Sequence, residues 1–168
     1  MAGAPGVTTR LALVAIAAFG CQVLLFPMTG IAAVTPEFVL ATVVVAALVV
    51  APIPAILFAV GCGLLQDAFA GGVIGLHGFA FPPSAYLVSR FRAAIRANSK
   101  LAVFLVCASA APIEVGLLLA LEQVSGVGAT SPRQIASVFL GLPVTAGYGL
   151  AVYRFVVPRG PARLLLRA

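Results

Sequence analysis

The sequence predicts an all-α protein: a polytopic transmembrane helical bundle with about six spans, forming one domain over residues 1–168. Three observations predict this fold. Hydrophobic residues make up 62% of the chain and charged residues only 8%, whereas a soluble domain carries about 25% charged residues. The apolar residues fall into runs close to the roughly 20 residues that one span needs. The basic residues lie between or beyond these runs.

The first three spans are bounded by proline and glycine. We expect the first from about Leu11 to Phe26 and the second from about Phe38 to Ala51. Pro52-Ile53-Pro54 is interpreted as a tight turn, because a proline removes a backbone donor and clashes with the preceding helical turn. A single long kinked helix is the alternative. The third span then runs from Ala55 to Ala70 and ends at Gly71-Gly72.

The last three spans are separated by the polar intervals of the second half of the chain. The fourth is expected from Val73 to about Phe91, with a kink at Pro82-Pro83. The interval from Arg90 to Lys100 is the longest polar stretch and is predicted to be a loop or an interfacial helix. The fifth span is expected from Leu101 to about Leu121, and the sixth from Ile135 to Val157.

The basic residues predict the orientation of these spans. With six spans and cytoplasmic N- and C-termini, nine basic residues lie inside and only Arg133 lies outside, as the positive-inside rule requires. The nine are Arg10, Arg90, Arg92, Arg96, Lys100, Arg154, Arg159, Arg163 and Arg167. The net charge of +6 is therefore a topology signal. Membrane lipid is the expected partner of the basic tail, and nucleic acid is not expected.

Asp67 and His77 are ionisable residues inside apolar runs, where a charge costs about 2.5–3.5 kcal/mol at a helix centre. A turn at Gly71-Gly72 would bring His77 near Asp67. The pair is either a general acid/base or a polar clamp that fixes a helical hairpin. The clamp is favoured, because no candidate nucleophile accompanies the pair. We therefore predict no enzymatic activity, no catalytic residue and no cofactor.

Glu114 is an intramembrane polar residue that lies deep in the fifth span, just after Pro112. A protonated Glu114 can donate to a backbone carbonyl that Pro112 leaves free, whereas an ionised one needs a basic partner. A structural or partner-facing role is predicted.

The glycines and cysteines are the remaining residues of interest. Small residues allow helices in lipid to approach closely, either within the bundle or towards a partner helix. They are Gly61 and Gly63, Gly75 and Gly78, and Gly141, Gly147 and Gly149. The cysteines, Cys21, Cys62 and Cys107, have no metal-ligand spacing and are predicted to be buried apolar side chains.

The segment from Gly61 to Gly78, GCGLLQDAFAGGVIGLHG, resembles the signature of the MreD family of rod shape-determining membrane proteins. That signature has Gly-Leu, apolar residues, an Asp, a small-residue turn and then Gly-Leu-His. Pro52 matches the family's turn before the signature, and Arg90 with Arg92 matches its closing basic pair. The resemblance covers about Pro36 to Arg92, and the last two spans are predicted from hydropathy alone.

The resemblance implies a function. MreD-like proteins are non-enzymatic scaffolds of the elongation complex in the bacterial plasma membrane. Their partners are MreC, the MreB filament, RodA and a class B penicillin-binding protein, which together organise lateral peptidoglycan synthesis. The resemblance assigns Asp67, Gly71, Gly75 and His77 to partner binding or to a structural hairpin. It also implies a fold similar to the substrate-binding subunits of energy-coupling-factor transporters, so such a subunit for a vitamin-type molecule is the alternative function.

Overall fold

The computed structural model describes residues 5–25, 36–70, 74–98, 100–126 and 131–157. Within these ranges the chain forms six α-helices and no strand, so the all-α prediction is confirmed. The helices are α1 (Pro5–Phe19), which a π-helical segment (Gly20–Leu25) continues, α2 (Phe38–Val49), α3 (Pro52–Ala70), α4 (Leu76–Asn98), α5 (Lys100–Ser125) and α6 (Pro132–Val156).

Four of the described helices are long and apolar enough to cross a membrane: α1 with its π-helical segment, α3, α5 and α6. Helix α2 has only 12 residues, about 18 Å at the rise of an α-helix, against a hydrocarbon core of about 30 Å. Helix α4 is long enough, but its second half carries Arg90 and Arg92. Six complete crossings therefore stay a prediction.

Helix α2 forms the centre of the bundle. Every residue from Val39 to Val49 is buried, and the helix contacts each of the other five. A helix that is apolar on all sides is stable only when protein or lipid surrounds it completely. Here its neighbours are the other helices of the chain, so the lipid-facing surface is formed by the remaining five.

The break between α2 and α3 lies two residues earlier than predicted. Val50 is extended (φ −103°, ψ 161°), so the alternative of one long kinked helix is wrong. Pro52-Ile53-Pro54 is not the turn itself but the first turn of α3, where a missing backbone N–H leaves no helical bond unmade. The carbonyl of Val50 accepts from Nη1 of Arg92 at 2.9 Å, which ties this break to α4.

Helix α4 extends well beyond the predicted end of the fourth span. It runs through both Pro82 and Pro83 to Asn98, so the polar stretch from Arg90 is helical and not a loop. The last helix begins at a capping box, in which Ser131 and Gln134 exchange side chain–backbone bonds. Gly71, Gly72 and the tail arginines Arg159, Arg163 and Arg167 lie outside the described residues.

Candidate functional site

Asp67 lies one turn before the end of α3 and is only 2% exposed. Its Oδ2 accepts from the backbone N–H groups of Gly75 and Gly78, at 2.7 and 3.2 Å. Its Oδ1 accepts from the backbone N–H of His77 at 3.1 Å. The carboxylate of one helix thus binds the amino-terminal N–H groups of the next, which have no partner within their own helix.

This arrangement follows from the local sequence. The first turn of a helix carries a partial positive charge, so a carboxylate placed there is favourable. The backbone reaches it through Gly75, whose φ of +108° is a conformation that favours glycine. Asp67, Gly75 and His77 are therefore joined in one structural unit. Any role of these residues in partner binding stays a prediction.

The imidazole of His77 bridges two acidic side chains. Its Nδ1 lies 2.6 Å from Oδ1 of Asp67, and its Nε2 lies 3.8 Å from Oε1 of Glu114. The shorter contact is within hydrogen-bonding distance. The imidazole thereby links α3, α4 and α5. Glu114 thus faces His77, a basic partner that sequence reasoning did not identify.

A second group of polar residues surrounds the start of α2. Gln22, in the π-helical segment, donates from Nε2 to Oε2 of Glu37 at 2.9 Å, and its Oε1 accepts from the N–H of Val39 at 2.9 Å. The backbone N–H of Glu37 donates to Oγ1 of Thr145 in α6 at 2.9 Å. The first N–H groups of α2 are therefore capped by side chains from distant parts of the chain.

The two groups form one site, which we call the polar centre: Gln22, Glu37, Gln66, Asp67, His77 and Glu114. The Gln66 side chain lies against the Glu37 carboxylate, which also interacts electrostatically with His77. Glu114 interacts electrostatically with both Glu37 and Asp67. Two acidic residues, Asp67 and Glu114, thus face the His77 imidazole, and a third, Glu37, interacts with it electrostatically.

Sequence reasoning missed Gln22, Glu37 and Gln66. Glu37 precedes an apolar run and so resembled a residue of a connecting loop. The available signal was its rarity, since the whole chain has only four acidic residues. Gln22 and Gln66 carry no charge, and only the fold brings them to the Glu37 carboxyl group.

Comparison with known families assigns the chain. The family model for the rod shape-determining protein MreD matches residues 7–143, which is most of the chain. The chain belongs to the MreD family. The match continues beyond Arg92 through α5 and into α6, so it includes helices that the sequence analysis predicted from hydropathy alone. MreD membership and the four apolar helices make this an integral membrane protein with a role in rod shape determination.

No curated protein matches the chain, and no solved structure matches it. The similarity of this MreD chain to the substrate-binding subunits of energy-coupling-factor transporters therefore stays a prediction.

Part of the MreD signature serves close packing of α3 against α4. A Cβ atom on Gly63 would overlap the carbonyl group of His77, and one on Gly78 would lie 2.9 Å from Cδ2 of Leu64. By contrast, a Cβ on Gly61 would meet nothing within 4 Å. Gly63 and Gly78 thus serve packing within the bundle, whereas Gly61 faces outwards.

The cysteines differ among themselves. Cys62 and Cys107 are buried, as predicted, whereas Cys21 is exposed at the protein surface, so the prediction was wrong for it. The π-helical segment turns Cys21 outwards while Gln22 reaches Glu37. Among the described residues, no three His, Cys, Asp or Glu side chains are grouped so as to hold a metal ion.

Proposed function

We propose that this MreD chain is a non-enzymatic scaffold of the elongation complex in the bacterial plasma membrane. It crosses the membrane six times with both termini in the cytoplasm and binds MreC. Through MreC it associates with MreB, RodA and a class B penicillin-binding protein, and helps to organise lateral peptidoglycan synthesis. Family membership and the distribution of basic residues on one side of the predicted spans support this proposal.

The bonding of Asp67 carries the proposal. Its two oxygens accept from three backbone N–H groups and contact the His77 ring, so the carboxylate is occupied by its own chain. A buried carboxylate held in this way fixes the geometry of a hairpin and has no free acceptor for a substrate. We infer that Asp67 acts on a partner indirectly, by setting the position of the α3–α4 hairpin.

The partner surface then consists of side chains that the hairpin holds outwards. Ile74 and Phe79 flank the Gly75 turn and are 73% and 72% exposed, and Phe69 at the end of α3 is exposed as well. Large apolar side chains at the end of a helix pair can pack against a transmembrane or membrane-proximal segment of MreC. The rigid clamp beneath them lowers the entropic cost of binding.

Co-purification with MreC in detergent tests this interface. We expect the double variant Ile74→Ala/Phe79→Ala to recover much less MreC than the wild type, with an unchanged melting temperature. Ile53→Ala is the matched control: Ile53 is also 73% exposed but lies at the opposite end of α3. Equal recovery of MreC by the double variant and the control would place the interface away from the hairpin.

The clamp itself is tested in the same assay. Asp67→Ala removes the acceptor of the α4 N–H groups, and Gly75→Leu forces a side chain into a positive-φ conformation. Both should reduce MreC recovery together with thermal stability. Full recovery with either variant would mean that MreC binding does not depend on the hairpin.

A further inference from the structure

The polar centre is rich in carboxyl groups. It contains those of Glu37, Asp67 and Glu114 together with one imidazole. The described basic side chains lie elsewhere. Arg10 donates to the carbonyl of Phe155, Arg92 donates to that of Val50, and Arg90, Lys100, Arg133 and Arg154 are exposed. Within the described part of the chain, His77 is thus the one basic group beside three acids.

The polar centre also lacks a hydrogen-bond donor. Oε1 of Gln66 is buried and has no hydrogen-bond partner. The residue is only 7% exposed, and its side chain lies against Glu37. Such an acceptor costs about 1–3 kcal/mol if it is left unsatisfied. Glu114 is 3.8 Å from Nε2 of His77, which is longer than a hydrogen bond. One unpaired acceptor and two buried carboxyl groups, those of Glu37 and Glu114, are therefore present in the polar centre.

A cation that carries N–H groups supplies both a positive charge beside the carboxyl groups and a hydrogen-bond donor for Gln66. It neutralises carboxylates, and it donates several hydrogen bonds to acceptors of different types. A metal ion is a poorer candidate, because no metal-ligating group of three side chains occurs among the described residues. The route of access lies at His77, whose side chain is 23% exposed while those of Asp67 and Glu114 are 2% and 3% exposed.

We propose that the polar centre binds a guanidinium or primary ammonium group between Gln66, Glu37 and Glu114. The group donates to the free Oε1 of Gln66 and to the two carboxylates. Asp67 is not a ligand, since its oxygens are already occupied by α4. The cation is either a free amine or the Arg or Lys side chain of a partner segment that enters past His77.

Thermal melting of the detergent-purified chain tests the site with defined probes. Millimolar guanidinium and ethylammonium should raise the melting temperature by about 3 °C at several times the Kd, as ligand linkage predicts for a domain of this size. Choline has the same charge but no N–H group, and sodium has none either, so neither should produce this shift. Equal shifts with all four cations, or no shift with any, would overturn the proposal.

Substitutions separate the site from a purely structural network. Gln66→Leu removes the unpaired acceptor, so it should abolish the response to guanidinium. Glu114→Gln should also abolish the response. Glu122→Gln is the control, because Glu122 is a second buried carboxylate of α5, about two turns further on. Gln66→Leu and Glu114→Gln variants that respond like the wild type would refute the site.

A final experiment identifies the source of the cation, and it is the only one of these experiments that rests on the proposed function. If a side chain of MreC supplies it, the co-purified complex should no longer respond to guanidinium, whereas a free amine would leave the complex responsive. The response of the isolated chain tests the site regardless of whether MreC binds.

Discussion

The α3–α4 hairpin and the α5–α6 pair are both formed by consecutive helices, yet they are held together differently. In the hairpin, the Asp67 carboxylate binds the start of α4 and two glycines allow backbone contact. In the α5–α6 pair, Gly149 packs against the side chain of Cys107. A charge-assisted network is directional and fails when one member is removed, whereas apolar packing in lipid can shift by small amounts. Substitutions in the α3–α4 hairpin should therefore reduce stability more than substitutions in the α5–α6 pair.

Among single substitutions in these two helix pairs, Asp67→Ala should reduce the free energy of unfolding most. It leaves buried N–H groups of α4 without an acceptor and His77 without its closest partner, for which a loss of about 3–5 kcal/mol in the free energy of unfolding is typical. Denaturation by SDS in mixed micelles measures it. Asp67→Asn retains one acceptor oxygen and should lose less. A loss of under about 1 kcal/mol for Asp67→Ala would mean that the network contributes no more than ordinary packing.

A glycine pair on α3 tests the backbone contact of the hairpin. Gly63→Ala places a Cβ against the His77 carbonyl group, which cannot move without displacing α4, so overpacking should cost about 1–3 kcal/mol. Gly61→Ala is the control, because nothing lies within 4 Å of its Cβ. Gly61→Ala should be neutral or slightly stabilising, as alanine favours the helix. Similar losses for both variants would contradict the α3–α4 packing.

Substitution of a glycine in the α5–α6 pair should reduce stability least. A Cβ on Gly149 would lie 2.5 Å from Sγ of Cys107, but the clash involves one small side chain, so Gly149→Ala should cost about 1 kcal/mol. Shortening the opposing side chain should restore stability in the double variant Gly149→Ala/Cys107→Ala. A double-mutant cycle in the same SDS titration measures the coupling. Additive losses would show that the two residues do not meet.

The sequence was sufficient for the helices and for half of the polar centre. The apolar runs located the six helices of the described part of the chain, because an apolar run has few stable alternatives to a helix in lipid. Asp67 and His77 were recognised because charges inside such runs need a partner. The short turn between their helices brings the two residues close together. The MreD signature pointed to the same residues.

The other residues of the polar centre are brought together by contacts between distant parts of the chain, which the sequence does not reveal. Glu37 and Thr145 are 108 residues apart, and no local pattern predicts that α6 caps α2. The bounds of α3 and α4 were also misjudged, for a local reason. Pro52 was taken as a breaker although the first turn of a helix accepts it. The fourth span was ended at Phe91, with the arginines beyond it assigned to a loop or a separate interfacial helix, although arginine is a good helix former and continues α4.

The bond between Glu37 and Thr145 also has a consequence for biosynthesis. Translation at about 5–20 residues per second delivers Thr145 roughly 5–20 seconds after Glu37, across the 108 residues that separate them. Throughout that interval the nascent α2, too short to anchor itself across the bilayer, lacks the group that caps its first N–H. The second helix to emerge from the ribosome therefore gains this bond only when the last helix is made, and a chain that ends before Thr145 lacks it.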